Sequence, residues 1–381
     1  MHRLQFHYSL SRNTSPALVR NPLIDLLQAV DSQGSISAAA RTLGLSYRHV
    51  WGELKRWEDE LGNELLIWDK GKSARLSDFG SKLMWAERQA QARLAPQIEA
   101  LRGDLERAFA VAFDDQAHVL TFYASHDDAL AALREHALSP TQDEEGQLHL
   151  DIRFCGSVDA IRALNEGRCV MAGFHTLQHP APGSLAERTY KPLLQPGLHK
   201  IIGFANRTQG LMVAAGNPLK LTSLHDVQRL QARYINRALG TGTRVVFDEL
   251  LAQQGIQSGE IVGYERTEPS HTALAHAIAS GSADAGLGIA VAAKAQGLDF
   301  IPLAQESYHL VCLKSALDQA PVIALRELLQ TPQWTTLLLG LEGYTPEQSG
   351  QVQSLRTVLP WWDFSKKTSR PRAAYKGQSA S

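Results

Sequence analysis

The spacing of apolar residues near the start of the chain predicts three consecutive helices. Leucines and a valine recur every three or four positions after Pro22, which suits a first helical position because its missing N–H would be unpaired there. Small apolar residues follow Ser35, and Gly44 can adopt the positive φ that ends a helix. A third apolar stripe begins after Ser46, which is a typical N-cap. The last two helices, joined by a tight turn, predict a helix-turn-helix.

The other face of the third helix is polar and basic. Recognition helices place base contacts in their first turn, so we predict that Arg48 and His49 read bases and that Lys55 and Arg56 contact phosphates. Residues 65–68 and 74–76 read as two short strands around a basic turn, which predicts a wing. A basic face alone is usually only solvated, but here the turn, the helices and the wing occur together in order. The predicted DNA contacts are Ser35, Ser46, Tyr47, Arg48, His49, Lys55, Arg56, Lys70, Lys72 and Arg75.

A long helix is predicted after the wing. Its apolar seam has coiled-coil spacing and consists of Leu94, Ile98, Leu101, Leu105 and Phe109. Pro96 should kink this helix because it removes the backbone hydrogen bond to Ala92. The seam could pair with a second copy of the chain, giving a dimer or a tetramer, or it could pack against the chain's own C-terminal part.

Strands and helices alternate from residue 118 onward, which predicts an α/β fold with mostly parallel sheets. The length suits two lobes with a cleft between them. The predicted strands are 118–124, 148–155, 169–174, 199–205, 211–215, 233–235, 285–288 and 300–303. The predicted helices between them include 127–136, 158–166, 243–254 and 269–280.

Several of these helices begin with Ser, Thr or Gly, and ligands of α/β folds bind at such helix starts. The glycine-rich loop 240–244 can direct N–H groups, hydroxyls and a helix dipole at one anion. The alternative is that the hydroxyls only cap their helices. Arg237 and Arg244 could bind an anion or form ion pairs between the lobes.

Composition narrows the possible functions. The 381 residues carry a net charge of −1, so affinity for DNA has to come from local patches. Cys155, Cys169 and Cys312 lack metal-ligand spacing and are predicted to be reduced core residues. The sequence predicts a cytoplasmic protein without a signal peptide or membrane span, and a disordered tail after Pro360.

Histidines 126, 175 and 271 could pair with Asp127, Asp284 or Glu268 for acid–base work or metal binding. Their spacing matches no catalytic or metal motif. We therefore predict no enzyme activity, no metal and no cofactor.

Two regulator families resemble the N-terminal part. The run GSISAAARTLGLSYRHVW is similar to molybdate-dependent (ModE-type) regulators, whereas LKRWEDELGNELL and RLSDFG resemble LysR-type regulators. Both families use a winged helix-turn-helix to control transcription. The resemblance to LysR-type linker helices favours a homo-oligomer.

The C-terminal part resembles a branch of type 2 periplasmic-binding-protein domains, through GSVDAIRALNEGRCVMAGFHT, YINRALGTGTRVVFDELLAQQGI and the run from residue 263 to 311. That branch is associated with molybdate-type oxyanions and molybdenum-cofactor proteins. Here Ala238 to Thr241 replace the Gln and Gly-Ser usual in the family, and residues 177–194 match poorly. By resemblance the pocket residues are Ser125, Ser157, His175, Arg207, Arg237, Thr241, Thr243, Arg244 and His271.

The resemblance therefore implies a regulator that senses molybdate or tungstate and controls molybdenum-related genes or molybdoenzyme genes such as those of formate dehydrogenase. The alternatives are an organic effector, a molybdenum-cofactor species, or an enzyme of molybdenum-cofactor assembly. The predicted fold is α + α/β. Its predicted parts are a winged helix-turn-helix (1–76), a linker and dimerisation helix (77–113), a two-lobed effector domain (114–345) and a partly disordered extension (346–381).

Overall fold

The computed structural model describes residues 21–68, 74–113, 118–138 and 148–362. Three helices and a two-stranded antiparallel sheet form the N-terminal unit. Its elements are α1 Pro22–Gln33, α2 Ile36–Thr42, α3 Tyr47–Leu61, β1 Leu66–Trp68 and β2 Ala74–Leu76. This is the predicted winged helix-turn-helix.

Local backbone chemistry fixes the helix ends of this unit. The hydroxyl of Ser35 accepts a hydrogen bond from the N–H of Ala38 at 3.2 Å, and that of Ser46 accepts one from His49 at 3.1 Å. Gly44 has φ 67° between α2 and α3, a conformation that costs glycine nothing. The inner faces of the three helices and the two strands form one buried apolar cluster, which fixes the angle at which α3 is presented.

A single long helix, α4 Asp78–Phe113, follows the wing. It continues through Pro96, where we predicted a kink. Three residues of the predicted seam are exposed, with relative accessibilities of 36% for Leu94, 60% for Leu101 and 40% for Leu105. The side chain of Phe109, the last seam residue, lies outside the described part. Helix α4 also packs against the C-terminal domain, while Leu94, Leu101 and Leu105 stay exposed.

The C-terminal domain contains ten strands and ten α-helices within the described residues. The strands are β3 His118–Ala124, β4 Leu148–Phe154, β5 Met171–Leu177, β6 His199–Val213, β7 Asn236–Arg237, β8 Thr267–Glu268, β9 Ala285–Ile289, β10 Asp299–Leu313, β11 Tyr344–Pro346 and β12 Val352–Ser354. The helices are α5 Asp128–Ala137, α6 Ser157–Asn165, α7 Leu185–Tyr190, α8 Leu224–Arg229, α9 Gly242–Gln253, α10 His271–Ala279, α11 Ala290–Ala295, α12 Ala320–Leu329, α13 Pro332–Leu339 and α14 Leu355–Val358.

Two long strands run through both lobes. Strands β6 and β10 have 15 residues each and pair antiparallel along their length. The first lobe adds β5, β3 and β4 beside one end of β10, and the second adds β9 beside the far end of β6. The small parallel pair β7–β8 joins β9 through a bridge between Tyr234 and Ala285. The two lobes are therefore the two ends of one shared antiparallel ribbon.

The prediction of mostly parallel sheets was wrong. Parallel pairing occurs between β3 and β4, β3 and β5, and β7 and β8, whereas each described pairing of β6 or β10 with another strand is antiparallel. We predicted two separate strands, 199–205 and 211–215, with polar residues between them. Those residues continue the strand, and Arg207 and Gln209 are buried in it.

The effector domain also continues past residue 345, where we placed its end. Strand β12 pairs with β6, and Leu355, Leu359 and Trp361 are buried. The disorder predicted after Pro360 is therefore wrong for Trp361, and the rest of that prediction falls on residues 363–381, which lie outside the described part. No helix of the described residues is long and apolar enough to span a membrane.

Candidate effector pocket and DNA-reading surface

The candidate pocket lies where helix starts from the two lobes meet. Helix α6 of the first lobe begins after Gly156, and a Cβ on Gly156 would lie 2.7 Å from the carbonyl oxygen of Gly240 in the second lobe. A Cβ on Gly242, at the start of α9, would lie 2.6 Å from Nδ1 of His175. Only glycine allows these approaches. The lobes are thus in direct contact across the cleft, and the structure shows it closed.

The nine predicted pocket residues are all buried. Two of the hydroxyls have different roles. Thr241 caps α9, because its Oγ1 accepts a hydrogen bond from the N–H of Arg244 at 3.3 Å and donates one to Ala238 at 2.8 Å. Thr243 lies deeper, with its Oγ1 3.3 Å from Nε2 of His271 and 3.4 Å from Nε2 of Gln209. Thr241 is therefore committed to the helix, whereas Thr243 belongs to a polar cluster in the cleft.

Arg237 is a buried cation without a carboxylate partner in the described residues. Its Nη2 donates to the carbonyl of Pro269 at 3.0 Å, but its Nε and Nη1 have no hydrogen-bond partner among the described residues. Burial, and then the positive charge of Arg207, lower the pKa of Arg237 to about 9, so it stays protonated at neutral pH. Asp127 and Glu306 raise the pKa of Arg237 in part, but both are bonded to Arg207, and a buried charge without a bonded partner is costly. This position favours an anion.

Arg207 is paired instead. Its guanidinium donates to Asp127 and to Glu306, both buried, and the hydroxyl of Tyr344 donates to Asp127 at 2.9 Å. Burial alone would lower the pKa of Arg207, but Glu306 and Asp127 raise it well above its ordinary value. Arg207 therefore joins the β6–β10 ribbon to the start of α5. The predicted set did not include its partners Asp127, Glu306 and Tyr344.

Arg244 forms an ion pair within α9. Its Nε lies 3.1 Å from both carboxylate oxygens of Asp248, and its guanidinium stacks 4.1 Å above the ring of Tyr264. We considered an ion pair between the lobes for this residue, and the structure shows a pair inside one lobe. Nη1 of Arg244 also lacks a hydrogen-bond partner among the described residues, but of the three predicted arginines only Arg237 has no carboxylate bonded to it there.

Two neutral imidazoles flank Arg237. His175 stacks on Tyr308 with ring centroids 3.8 Å apart, and neither of its ring nitrogens has a partner among the described residues. Burial and the nearby arginines hold the pKa of His175 and of His271 well below the usual range, so both rings are neutral. The hydroxyl of Ser125 is also buried without a hydrogen-bond partner in the described part. The cleft thus gathers donors that still need an acceptor.

The carboxylates once considered for acid–base chemistry are held by arginines. Asp127 binds Arg207, the carboxylate of Asp284 lies 2.6 Å from Arg233, and that of Glu268 lies 2.5 Å from Arg93. Within the described residues no cluster of His, Cys, Asp and Glu could hold a metal ion. The three cysteines are free, and burial raises the pKa of each to about 12, so they are not reactive thiolates.

The first turn of α3, where we predicted base contacts, is exposed. Arg48 and His49 are exposed there, as are Tyr47 at 49% and Trp51 at 43%. Trp51 was not among the predicted contacts, although its place one turn after Tyr47 puts both on one face. An exposed aromatic pair on a helix is unusual for a merely solvated face.

The other predicted DNA contacts differ in availability. Lys55 lies 2.6 Å from Glu58, and Arg56 lies 2.6 Å from Glu53 and 3.1 Å from Glu60, all within α3. The hydroxyls of Ser35 and Ser46 cap helices. Arg75 is exposed on β2, whereas Lys70 and Lys72 lie outside the described residues.

Comparison with known proteins agrees with this two-part architecture. Residues 138–330, half of the chain, match the PBP superfamily domain. The chain belongs to the PBP superfamily. Residues 23–81 match the bacterial regulatory helix-turn-helix proteins of the lysR family. The N-terminal unit thus matches a bacterial regulatory helix-turn-helix of the lysR family, and the C-terminal part is a PBP-superfamily domain.

Two relatives match parts of the chain. The uncharacterized protein YvgK of Bacillus subtilis (strain 168) is 32% identical over 200 residues, which are 52% of this chain and 64% of YvgK. An uncharacterized protein in the 5′ region of the ferredoxin 2Fe-2S gene of Clostridium pasteurianum is 31% identical over 109 residues, 28% of this chain and 96% of that protein. The chain thus spans just under two thirds of YvgK.

Solved structures of regulators resemble the chain distantly. A mutant of OxyR from Corynebacterium glutamicum with bound hydrogen peroxide has 16% identity and a TM-score of 0.42, covering 83% of this chain and 93% of its own. Full-length CbnR complexed with its target DNA has 16% identity and a TM-score of 0.40, covering 80% and 98%. ArgP from Mycobacterium tuberculosis has 19% identity and a TM-score of 0.36, covering 82% and 96%.

Proposed function

We propose that the C-terminal domain binds a small tetrahedral oxyanion, with molybdate or tungstate favoured by the sequence resemblance, and that binding changes the affinity of the N-terminal unit for its operator. The observation that carries this proposal is Arg237, a buried guanidinium with two unpaired donor atoms and no carboxylate partner among the described residues. An anion in the cleft would supply the missing charge and accept these hydrogen bonds.

The surroundings of Arg237 suit an oxyanion. The N-termini of α6 and α9 start at the cleft and contribute their partial positive charge. Hydroxyls and neutral imidazoles add donors without adding charge. Such a set can surround a tetrahedral dianion without fully neutralising it.

The closed cleft favours a small ligand. Gly240 lies against Gly156, and Gly242 lies against His175, so the lobes meet without a gap at these two points. A molybdenum-cofactor species or another large organic effector would have to hold the lobes further apart. A small ion is compatible with the contacts as they stand.

Isothermal titration calorimetry of the full chain with molybdate, tungstate, sulfate and phosphate tests the proposal. We expect binding of at least one of these anions, with molybdate and tungstate tightest. Thr243→Val removes a hydroxyl at nearly constant shape and should weaken binding by about tenfold. No heat of binding from any of the four anions would overturn the oxyanion proposal and favour an organic effector.

We also propose that the chain acts as a homodimer whose two DNA-reading units bind one palindromic operator. The support is the apolar seam of α4, whose leucines are exposed in the single chain. A second copy of the helix would cover these leucines and remove them from water. From the resemblance, the target genes would serve molybdenum or tungsten uptake or molybdoenzymes such as formate dehydrogenase. Sequencing of the DNA fragments that the protein retains from its own genome would identify the operator.

A further inference from the structure

Helix α4 contacts both lobes of the effector domain. On the second lobe, Arg93 donates to Glu268 at 2.5 Å and 2.8 Å, and Gln89 donates to the same carboxylate at 3.2 Å. On the first lobe, Asp104 accepts from Arg153 of β4 at 2.9 Å, and α4 packs along that strand. One helix thus bridges the two lobes on the outside of the domain.

Pro96 creates a specific docking point on this helix. Because proline has no N–H, the carbonyl of Ala92 loses its usual partner within the helix. The hydroxyl of Ser270 donates to that carbonyl at 3.3 Å, and the same hydroxyl accepts from the N–H of Ala273 at the start of α10. The second lobe therefore satisfies a group that the sequence of α4 leaves unpaired.

The same short segment forms one wall of the candidate pocket. Glu268 in β8 lies opposite Arg237 in β7. The carbonyl of Pro269 accepts from Arg237, and His271 belongs to the polar cluster of the cleft. The four residues 268–271 thus contact α4 on one side and the cleft on the other.

We propose that α4 is a strap across the outside of the cleft, and that residues 268–271 couple anion occupancy to the position of α4 and hence of the DNA-reading unit. The two anchors, at Arg93 and Asp104, are 11 residues apart, which is about 16 Å along a helix. A rigid helix keeps this spacing fixed, so a change in the angle between the lobes has to break one anchor. Docking of α4 and closure of the cleft then stabilise each other, as linkage requires.

Hydrogen–deuterium exchange of the full chain without any ligand tests the coupling. Glu268→Gln and Arg93→Gln each weaken the second-lobe anchor. Arg93 is half exposed, so its replacement should not unfold the chain even if that of Glu268 does. Arg229→Gln is the matched control, because it breaks an arginine–carboxylate pair inside α8, away from α4.

We expect exchange about two- to fivefold faster in cleft residues 238–244 and in residues 156–160 of the opposite lobe for both anchor variants, and no change there for the control. Faster exchange confined to residues 85–96 and 266–273 would mean that the contact is only local, and would overturn the proposal.

Titration with molybdate links the strap to the proposed function, on which its regulatory role rests. Each anchor variant should bind molybdate about fivefold more weakly or worse than the control, although none of the replaced side chains lies in the cleft. If the wild type binds no anion, but exchange in the cleft is faster in the anchor variants, the oxyanion proposal is refuted and the strap proposal stands. Equal molybdate affinity in the anchor variants and the control would refute the strap and leave the oxyanion standing.

Discussion

Replacing Arg237 by methionine should weaken anion binding without destabilising the anion-free protein. The structure gives Arg237 one hydrogen bond, to the carbonyl of Pro269, and leaves two donor atoms unpaired among the described residues. In the anion-free state the substitution removes a buried charge that no carboxylate of the described residues bonds, and it keeps most of the side-chain volume. In the bound state it removes two charge-assisted hydrogen bonds.

The size of the effect follows from those two bonds. A hydrogen bond to a charged group contributes about 1.5–3 kcal/mol, so two contribute at least about 3 kcal/mol. This corresponds to a loss of affinity of about a hundredfold or more. The melting temperature of the anion-free variant should be equal to or above that of the wild type, because one hydrogen bond is lost while an unpaired charge is also removed.

Arg207→Met is the contrasting variant. It would leave Asp127 and Glu306 buried without their cation, which costs about 3–5 kcal/mol and lowers the melting temperature by roughly 6–20 °C. Calorimetry and thermal melts of both variants distinguish the two arginines. Wild-type affinity in Arg237→Met, or a large loss of stability in its anion-free state, would refute the assignment of Arg237 as the anion ligand.

Three further predictions concern DNA binding, assembly and pH. Arg48→Ala should weaken operator binding by about 1–3 kcal/mol and change base preference, whereas Lys55→Ala should alter mainly the salt dependence in fluorescence anisotropy; unchanged affinity in Arg48→Ala would misplace the recognition surface. Leu101→Glu should convert a dimer into a monomer in light scattering, and a monomeric wild type would contradict the pairing of α4. Burial lowers the pKa of His309 to about 3 and of His276 to about 4 from 6.5, so the unfolded chain binds more protons below pH 6.5 and melting temperatures should fall from pH 7 to pH 5; a flat profile would contradict this.

The helix boundaries of the DNA-reading unit could be predicted because local chemistry determines them. Ser35 and Ser46 cap the helices that follow them, and Gly44 takes the positive φ expected of it. These effects need only residues a few positions apart.

The long strands could not be predicted in the same way. The polar residues within β6 look like a break, because their burial depends on partners far along the chain. The buried Arg207 forms ion pairs with Asp127, which lies 80 positions away in the sequence, and with Glu306, which lies 99 positions away. Local patterns carry no information about such pairing.

The choice among the three pocket arginines had the same limit. The sequence placed Arg207, Arg237 and Arg244 in one group, and each is buried. Arg207 and Arg244 each have a bonded carboxylate, and this becomes visible only in the tertiary structure. It changes the prediction from three equivalent ligands to one free cation held among neutral donors.

We propose above all that an anion bound in the cleft changes the affinity of α3 for operator DNA. The most direct test is fluorescence anisotropy with the operator selected from the genome, measured at fixed salt with and without saturating molybdate. We predict a change in operator affinity of about fivefold or more, in either direction, that disappears in Arg237→Met. Equal operator affinity with and without molybdate, in a protein that calorimetry shows to bind it, would contradict the claim.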